Sequence, residues 1–132
     1  IVNFDQNFQI SEINTSGEKK INYIIKNRLL LGSKEGNKNI IKINILTNKI
    51  KNVKEKNINN QITKYEIKIT SQIEYSSLTE NLSNFTVTET GSYSVASKYS
   101  NTLNNEKKLV NLLTEKIIEE ILTNISAGLN ES

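Results

Sequence analysis

The stretch from Phe85 to Ile125 places the tightest limit on the fold. Phe85, Val87, Tyr93 and Val95 are apolar, whereas the even positions from Asn84 to Ser94 hold only Asn, Thr or Ser. Side chains of a strand alternate between two faces, so this pattern describes a strand with one face on a core and one in water. A short turn, Ala96-Ser-Lys-Tyr99, follows, and Ser100 or Asn101 is placed to cap a helix through its side-chain oxygen. Leu103, Val110, Leu113, Ile117, Ile118, Ile121 and Ile125 then fall within one stripe at the helical period. That stripe has to be covered, and the nearest apolar sheet face is the strand just before it. Gly128 is placed to end the helix.

The rest of the chain supplies partners for this unit. Phe8, Ile10 and Ile13 mark a first strand, punctuated by Ser16-Gly17. Glu18 to Leu31 reads as a helix, with Ile21, Ile24 and Ile25 on one face; Gly32-Ser33 ends it, and Lys34 to Asn39 is a polar loop. Ile41, Ile43 and Ile45 begin a second strand that runs as far as Ile50, and Asn48 to Gln61 reads as a long polar hairpin region. In the third strand Tyr65, Ile67, Ile69, Ile73 and Tyr75 alternate with Lys64, Glu66, Lys68, Thr70, Gln72 and Glu74. One greasy and one wet face exclude a sheet buried on both sides. Ser76 to Ser83 is the next turn. The order is β-α-β-β-β-α, with strands two to four as an antiparallel meander and strand one joined to strand two by a helical crossover. The expected fold is α+β: a two-layer sandwich, a four-stranded mixed sheet with two helices on one face, in a single domain over residues 1–132.

Composition narrows the chemistry. The 132 residues include no His and no Cys, which removes the usual general base, thiolate nucleophile and soft metal ligands. Glu115, Glu119 and Glu120 occupy the polar flank of the last helix and read as a solvated face. The glycines are scattered singly, so no loop is shaped as a phosphate cradle. A non-enzymatic protein with no cofactor and no metal is expected. The chain starts without Met, as expected of a processed piece whose targeting information lay upstream of Ile1. The net charge of +3 is mild.

Lys49, Lys51, Lys54 and Lys56 in the hairpin between strands two and three form the clearest charge cluster, and Lys64 and Lys68 extend it along the wet face of strand three. Two readings stand: a solubilising surface, or a site for phosphate-bearing ligands, to which lysines offer point charges. The aromatics fall mainly on inward positions, which argues against a stacking platform for nucleic acid. Arg28 projects onto the buried stripe of the first helix, and Glu89 has the inward parity of strand four. They form an ion pair at the sheet–helix boundary, or the Arg stem lies along apolar surface with its head in water and a bulge at Gly91 turns Glu89 outward. Leu109 and Leu112 point away from the main stripe of the last helix, as ordinary exposed leucines or as a contact for a partner protein.

One family shares this layout. Gly91-Ser-Tyr93-Ser-Val-Ala96-Ser-Lys-Tyr99-Ser followed by the long helix to Ile125 resembles LptE, the lipopolysaccharide-assembly lipoprotein family, in its alphaproteobacterial form. The opening Phe8-Gln-Ile-Ser-Glu-Ile13 through Gly17 to Leu31 is similar as well. The last helix departs from the family's alanine-rich habit at Leu103, Glu106 and Val110. The resemblance implies a lipid-anchored protein on the periplasmic side of the outer membrane, its anchor upstream of this chain. It also implies a plug in the LptD β-barrel that helps deliver lipopolysaccharide to the outer leaflet. Under it, the hairpin lysines meet lipid A phosphates or core sugars. The competing expectation is a periplasmic or cytoplasmic α+β module that binds an anionic ligand or nucleic acid, and a carboxylate hydrolase ranks last.

Overall fold

The structure, a computed structural model, describes residues 8–33, 39–77 and 82–130. Their elements are β1 (Gln9–Gly17), α1 (Lys19–Gly32), β2 (Ile40–Lys56), β3 (Ile62–Ser77), β4 (Ser83–Ser94) and α2 (Tyr99–Asn130). The sheet order is β1-β2-β3-β4, with β1 parallel to β2 and the other pairs antiparallel. This is the expected α+β arrangement. Most of the loop expected at Lys34–Asn39 and the middle of the turn expected at Ser76–Ser83 lie outside the described residues.

Burial follows the alternation read from the sequence. Ile41, Ile43 and Ile45 of β2 and Ile67, Ile69 and Ile73 of β3 are buried, and they meet Ile21, Ile25 and Leu29 of α1 and Leu113, Ile117, Ile121 and Ile125 of α2. Each fully buried Ile or Leu contributes roughly 1.5–3 kcal/mol, so this shared face dominates the stability. Two hydroxyls interrupt it. Thr47 and Ser71 sit opposite each other in the β2–β3 register, both buried, and bond to each other at 2.8 Å. Mutual pairing removes the penalty of burying either one alone.

Three expectations change. The hairpin is not a long loop: β2 continues to Lys56, and only residues 57–61 form the turn, where Asn57 accepts from the N–H groups of Asn59 and Gln61. Lys and Asn are poor strand formers by themselves, but pairing with Ile62–Ile67 overrides that preference. Helix α2 starts at Tyr99, so Ser100 and Asn101 lie within its first turn. The Lys98 carbonyl accepts from the N–H of Thr102 at 3.2 Å, and the Thr102 hydroxyl accepts from the N–H of Ala96 at 2.8 Å. Nor does the helix stop at Gly128, which is helical and packed on Tyr75. A Cβ there would lie 2.2 Å from the Tyr75 hydroxyl oxygen, so the glycine serves close approach. Leu122 and Leu129 join the buried stripe, whereas Leu103 stays 39% exposed.

Candidate functional site

The sheet outgrows its cover at one end. Strand β1 leaves the sheet at Gly17, opposite Thr47, while β2 and β3 run on to the 57–61 turn. Gly17 makes that exit possible: its φ is +90°, and a Cβ would lie 2.1 Å from the Thr47 carbonyl oxygen. Over the extended end leans the first part of α2, and between the two lies a cleft of about 320 Å³.

Four side chains from four elements organise the cleft. Tyr65 of β3 and Tyr93 of β4 are register partners and stack, with ring centroids 5.7 Å apart and planes at 27°. Lys51 of β2 places Nζ 4.4 Å from the Tyr65 ring centre and 2.8 Å from Oε1 of Glu106 of α2. The Tyr93 hydroxyl donates to the same carboxylate at 2.5 Å. Ile62, Val95, Tyr99 and Leu103 supply apolar and aromatic walls.

The electrostatics follow from these contacts. Lys51, and then the Tyr93 hydroxyl, hold the Glu106 carboxyl below the usual carboxylate range. Hydrogen bonds to Glu106 and Tyr93 keep the Lys51 ammonium above the usual lysine range. Burial, then the bond to Glu106, pushes the Tyr93 hydroxyl up. Each group is moved away from neutral, so none is poised to exchange a proton near pH 7. The cleft sets an aromatic wall beside a fixed charge pair.

The six lysines singled out in the sequence do not form one cluster. Lys49 and Lys51 share the helix-side parity of Thr47. Lys64 and Lys68 lie on the open face, alternating with buried Ile67 and Ile69. Lys54 pairs with Glu66 at 3.2 Å, and Lys64 is 3.8 Å from Glu55. Lys56 is exposed at the end of β2. Arg28 does not pair with Glu89. It meets Glu115 of α2 at 2.6 Å, because α1 lies beside α2 and its Arg reaches the neighbouring helix before the sheet. Glu89 does keep its inward parity, opposite Ile69, and there it faces Glu120 of α2. Burial, then the hydrogen bond that the protonated acid donates to Glu89, pushes the Glu120 carboxyl up. Leu109 is not an outward contact either: its Cδ1 lies 2.6 Å from where a Gly91 Cβ would be, so the helix nests a leucine in the gap that glycine leaves. Leu112 remains 53% exposed.

The sequence reading passed over Tyr65, Tyr93 and Glu106 as site residues. A signal was present in the parity: Lys51 is inward on a strand whose other inward positions up to Thr47 are buried, so it needs a counter-charge from a covering element.

Neither a family model nor a curated protein matches the sequence. Solved structures do match the fold along nearly its whole length. Rare lipoprotein B from Shewanella oneidensis superposes with a TM-score of 0.65 at 10% identity, over 92% of this chain and 98% of that one. A minor lipoprotein from Acinetobacter baumannii gives 0.59 at 15% identity, over 89% and 91%. Uncharacterized lipoprotein B from Nitrosomonas europaea gives 0.56 at 10% identity, over 98% and 92%. The chain therefore has the fold seen in these bacterial lipoproteins. Among the described residues, no helix is long and apolar enough to cross a membrane.

Proposed function

We propose that this chain is a non-catalytic outer-membrane assembly factor, lipid-anchored through a segment upstream of it. In this reading it lies on the periplasmic side, partners the LptD β-barrel and assists insertion of lipopolysaccharide into the outer leaflet. The observation that carries the reading is the superposition on rare lipoprotein B over nearly the full length of both chains. The resemblance to LptE at Gly91–Tyr99 supports it from an independent direction. So does a cleft in which Lys51, Tyr93 and Glu106 hold one another away from neutral pH.

In this reading the lysines at the far end of the hairpin and on the open face meet the lipid phosphates. Lys54, Lys56 and Lys64 surround the far end of the hairpin, and Lys68 lies on the open face behind them. Lys51 is committed to Glu106. Changing Lys54, Lys56, Lys64 and Lys68 together to Gln should weaken lipopolysaccharide binding by about tenfold or more at low salt, with the circular dichroism spectrum unchanged. Affinity purification with the β-barrel of the same genome is the companion test. Failure to co-purify, with wild-type lipopolysaccharide affinity in the quadruple variant, would reject the assignment.

A further inference from the structure

The end of β1 leaves part of the sheet with an unused edge. The Thr47 carbonyl accepts from the N–H of Glu18 at 2.8 Å, so the backbone groups of Thr47 point towards the β1 side. Strand geometry repeats every second residue, and those of Lys49, Lys51 and Val53 point the same way. Among the described residues, no strand pairs with β2 on that side beyond Thr47. Such a row of free N–H and C=O groups is a template for another strand.

Beside this edge runs a groove of about 280 Å³ between α1 and α2. Its floor is Ile21, Ile24 and Val110, and its rim carries Lys20, Lys49 and Lys107. Glu106 also borders it, but Lys51 and Tyr93 already hold that carboxylate. Lys20, Lys49 and Lys107 form no ion pair among the described residues. The edge thus offers backbone pairing, an apolar floor and a surplus of positive charge in one place. Two copies meeting edge to edge would set lysines against lysines, which disfavours self-pairing.

We propose that this edge takes up an extended, acidic strand of a partner protein, which continues the slot that β1 vacates and pairs with Lys49, Lys51 and Val53. Its acidic side chains meet Lys20, Lys49 and Lys107, and its apolar ones rest on the groove floor. This is strand addition, in which main-chain bonds supply affinity and flanking side chains supply specificity. It goes beyond lipopolysaccharide assembly and would stand if that role did not.

The test uses the full chain and two blocked heptapeptides, Glu-Thr-Val-Thr-Glu-Thr-Val and Lys-Thr-Val-Thr-Lys-Thr-Val, in which the charged and the apolar side chains share one face of the strand. Binding is followed by amide NMR titration and by hydrogen exchange. The glutamate peptide should bind, the lysine peptide should not, and the amides of Lys49, Lys51 and Val53 should gain at least about tenfold protection. Lys49→Pro removes an outward N–H without touching the β2–β3 ladder, so it should weaken binding by about tenfold or more. Lys49→Gln keeps the N–H and should weaken it by only about two- to fivefold. Equal binding of the two peptides, no protection along this edge, or equal affinity of the two variants would overturn the proposal. A dimer that buries the same amides without peptide would assign the edge to a second copy instead. Should Lys49→Pro unfold, the protection pattern in the unaltered chain decides alone.

Discussion

Two glycines show how a single missing methyl can shape the molecule. Gly17 has both a left-handed φ and a carbonyl oxygen 2.1 Å from any added Cβ. Gly17→Ala is therefore expected to cost about 3 kcal/mol or more, because backbone rather than a mobile side chain must give way; urea denaturation measures it. Gly128 is a subtler case. Alanine is the better helix former by about 1 kcal/mol, but its Cβ would meet the Tyr75 hydroxyl, and Tyr75 is buried and packed edge-on to Phe85. The clash should win, making Gly128→Ala destabilising by about 1–2 kcal/mol. In a Tyr75→Phe background the nearest of the contacting atoms becomes the ring carbon at 3.5 Å, an ordinary contact, and the same change should turn neutral or stabilising. That reversal of sign, read from a four-member set of denaturation curves, separates packing from helix propensity. Glu106 is the residue on which the cleft turns. Glu106→Gln removes the carboxylate that holds Lys51 and Tyr93, leaving burial opposed by the Lys51 ammonium, so the Tyr93 hydroxyl should titrate lower than in the unaltered protein. A spectrophotometric titration against the Tyr93→Phe variant isolates that one ring.

Between elements, charge acts through two contacts of opposite character. Arg28 and Glu115 tie α1 to α2, but their side chains are 38% and 45% exposed, so Arg28→Met should change stability by less than about 1 kcal/mol. Glu89 and Glu120 join β4 to α2 as two acids, and the Glu120 carboxyl is held above its ordinary range. A raised folded-state pKa means the folded protein takes up the proton more readily than the unfolded chain. The stability from Glu120 is then fully present below the ordinary carboxylate range and is lost as pH rises through the folded value. Glu106 runs the other way: its depressed value contributes stability above the ordinary range, lost as pH falls through the folded value. Glu120→Gln should accordingly raise the melting temperature at pH 7 by about 1–2 °C, with little change at pH 4. Such contacts also mark where sequence reading ends. Strand and helix faces were legible because one side of each is buried: Ile67 and Ile69 alternate with Glu66 and Lys68, and Ile117 and Ile121 recur on α2. Past Thr47 that contrast fades, since Lys49 and Lys51 take the inward positions and Ile50 an outward one, and the stretch from Asn48 to Gln61 reads only as a polar hairpin region. The Lys51–Glu106 pair depends on where α2 passes over the sheet. The Leu109 contact depends on Gly91 making room beneath that helix. Neither spacing is written along a single element.

The whole molecule is a covered half joined to an uncovered one, and the two should open independently. Around Ile43, Ile45, Ile69 and Ile73, every strand neighbour is paired and the helix layer lies above, so those amides are released only by global unfolding. Beyond Val53 the hairpin has no β1 and ends in a turn whose Ile58 is fully exposed. It is held mainly by its own ladder, by the Asn57 bonds to Asn59 and Gln61, and by exposed ion pairs worth little each. Opening that end costs few buried contacts. Amides of residues 57–61 should thus exchange at least about 100-fold faster than those of Ile45 and Ile69, a gap of roughly 2.8 kcal/mol. Only the slow set should track global stability when urea is added. Ile58→Asn should leave both the melting temperature and the slow set unchanged, since no core atom touches that side chain. If residues 57–61 exchanged as slowly as Ile69, the hairpin would belong to the same cooperative unit as the core. If the far end does open locally, the proposed binding of a partner by the hairpin lysines and by the edge of β2 could adjust there without cost to the sandwich beneath.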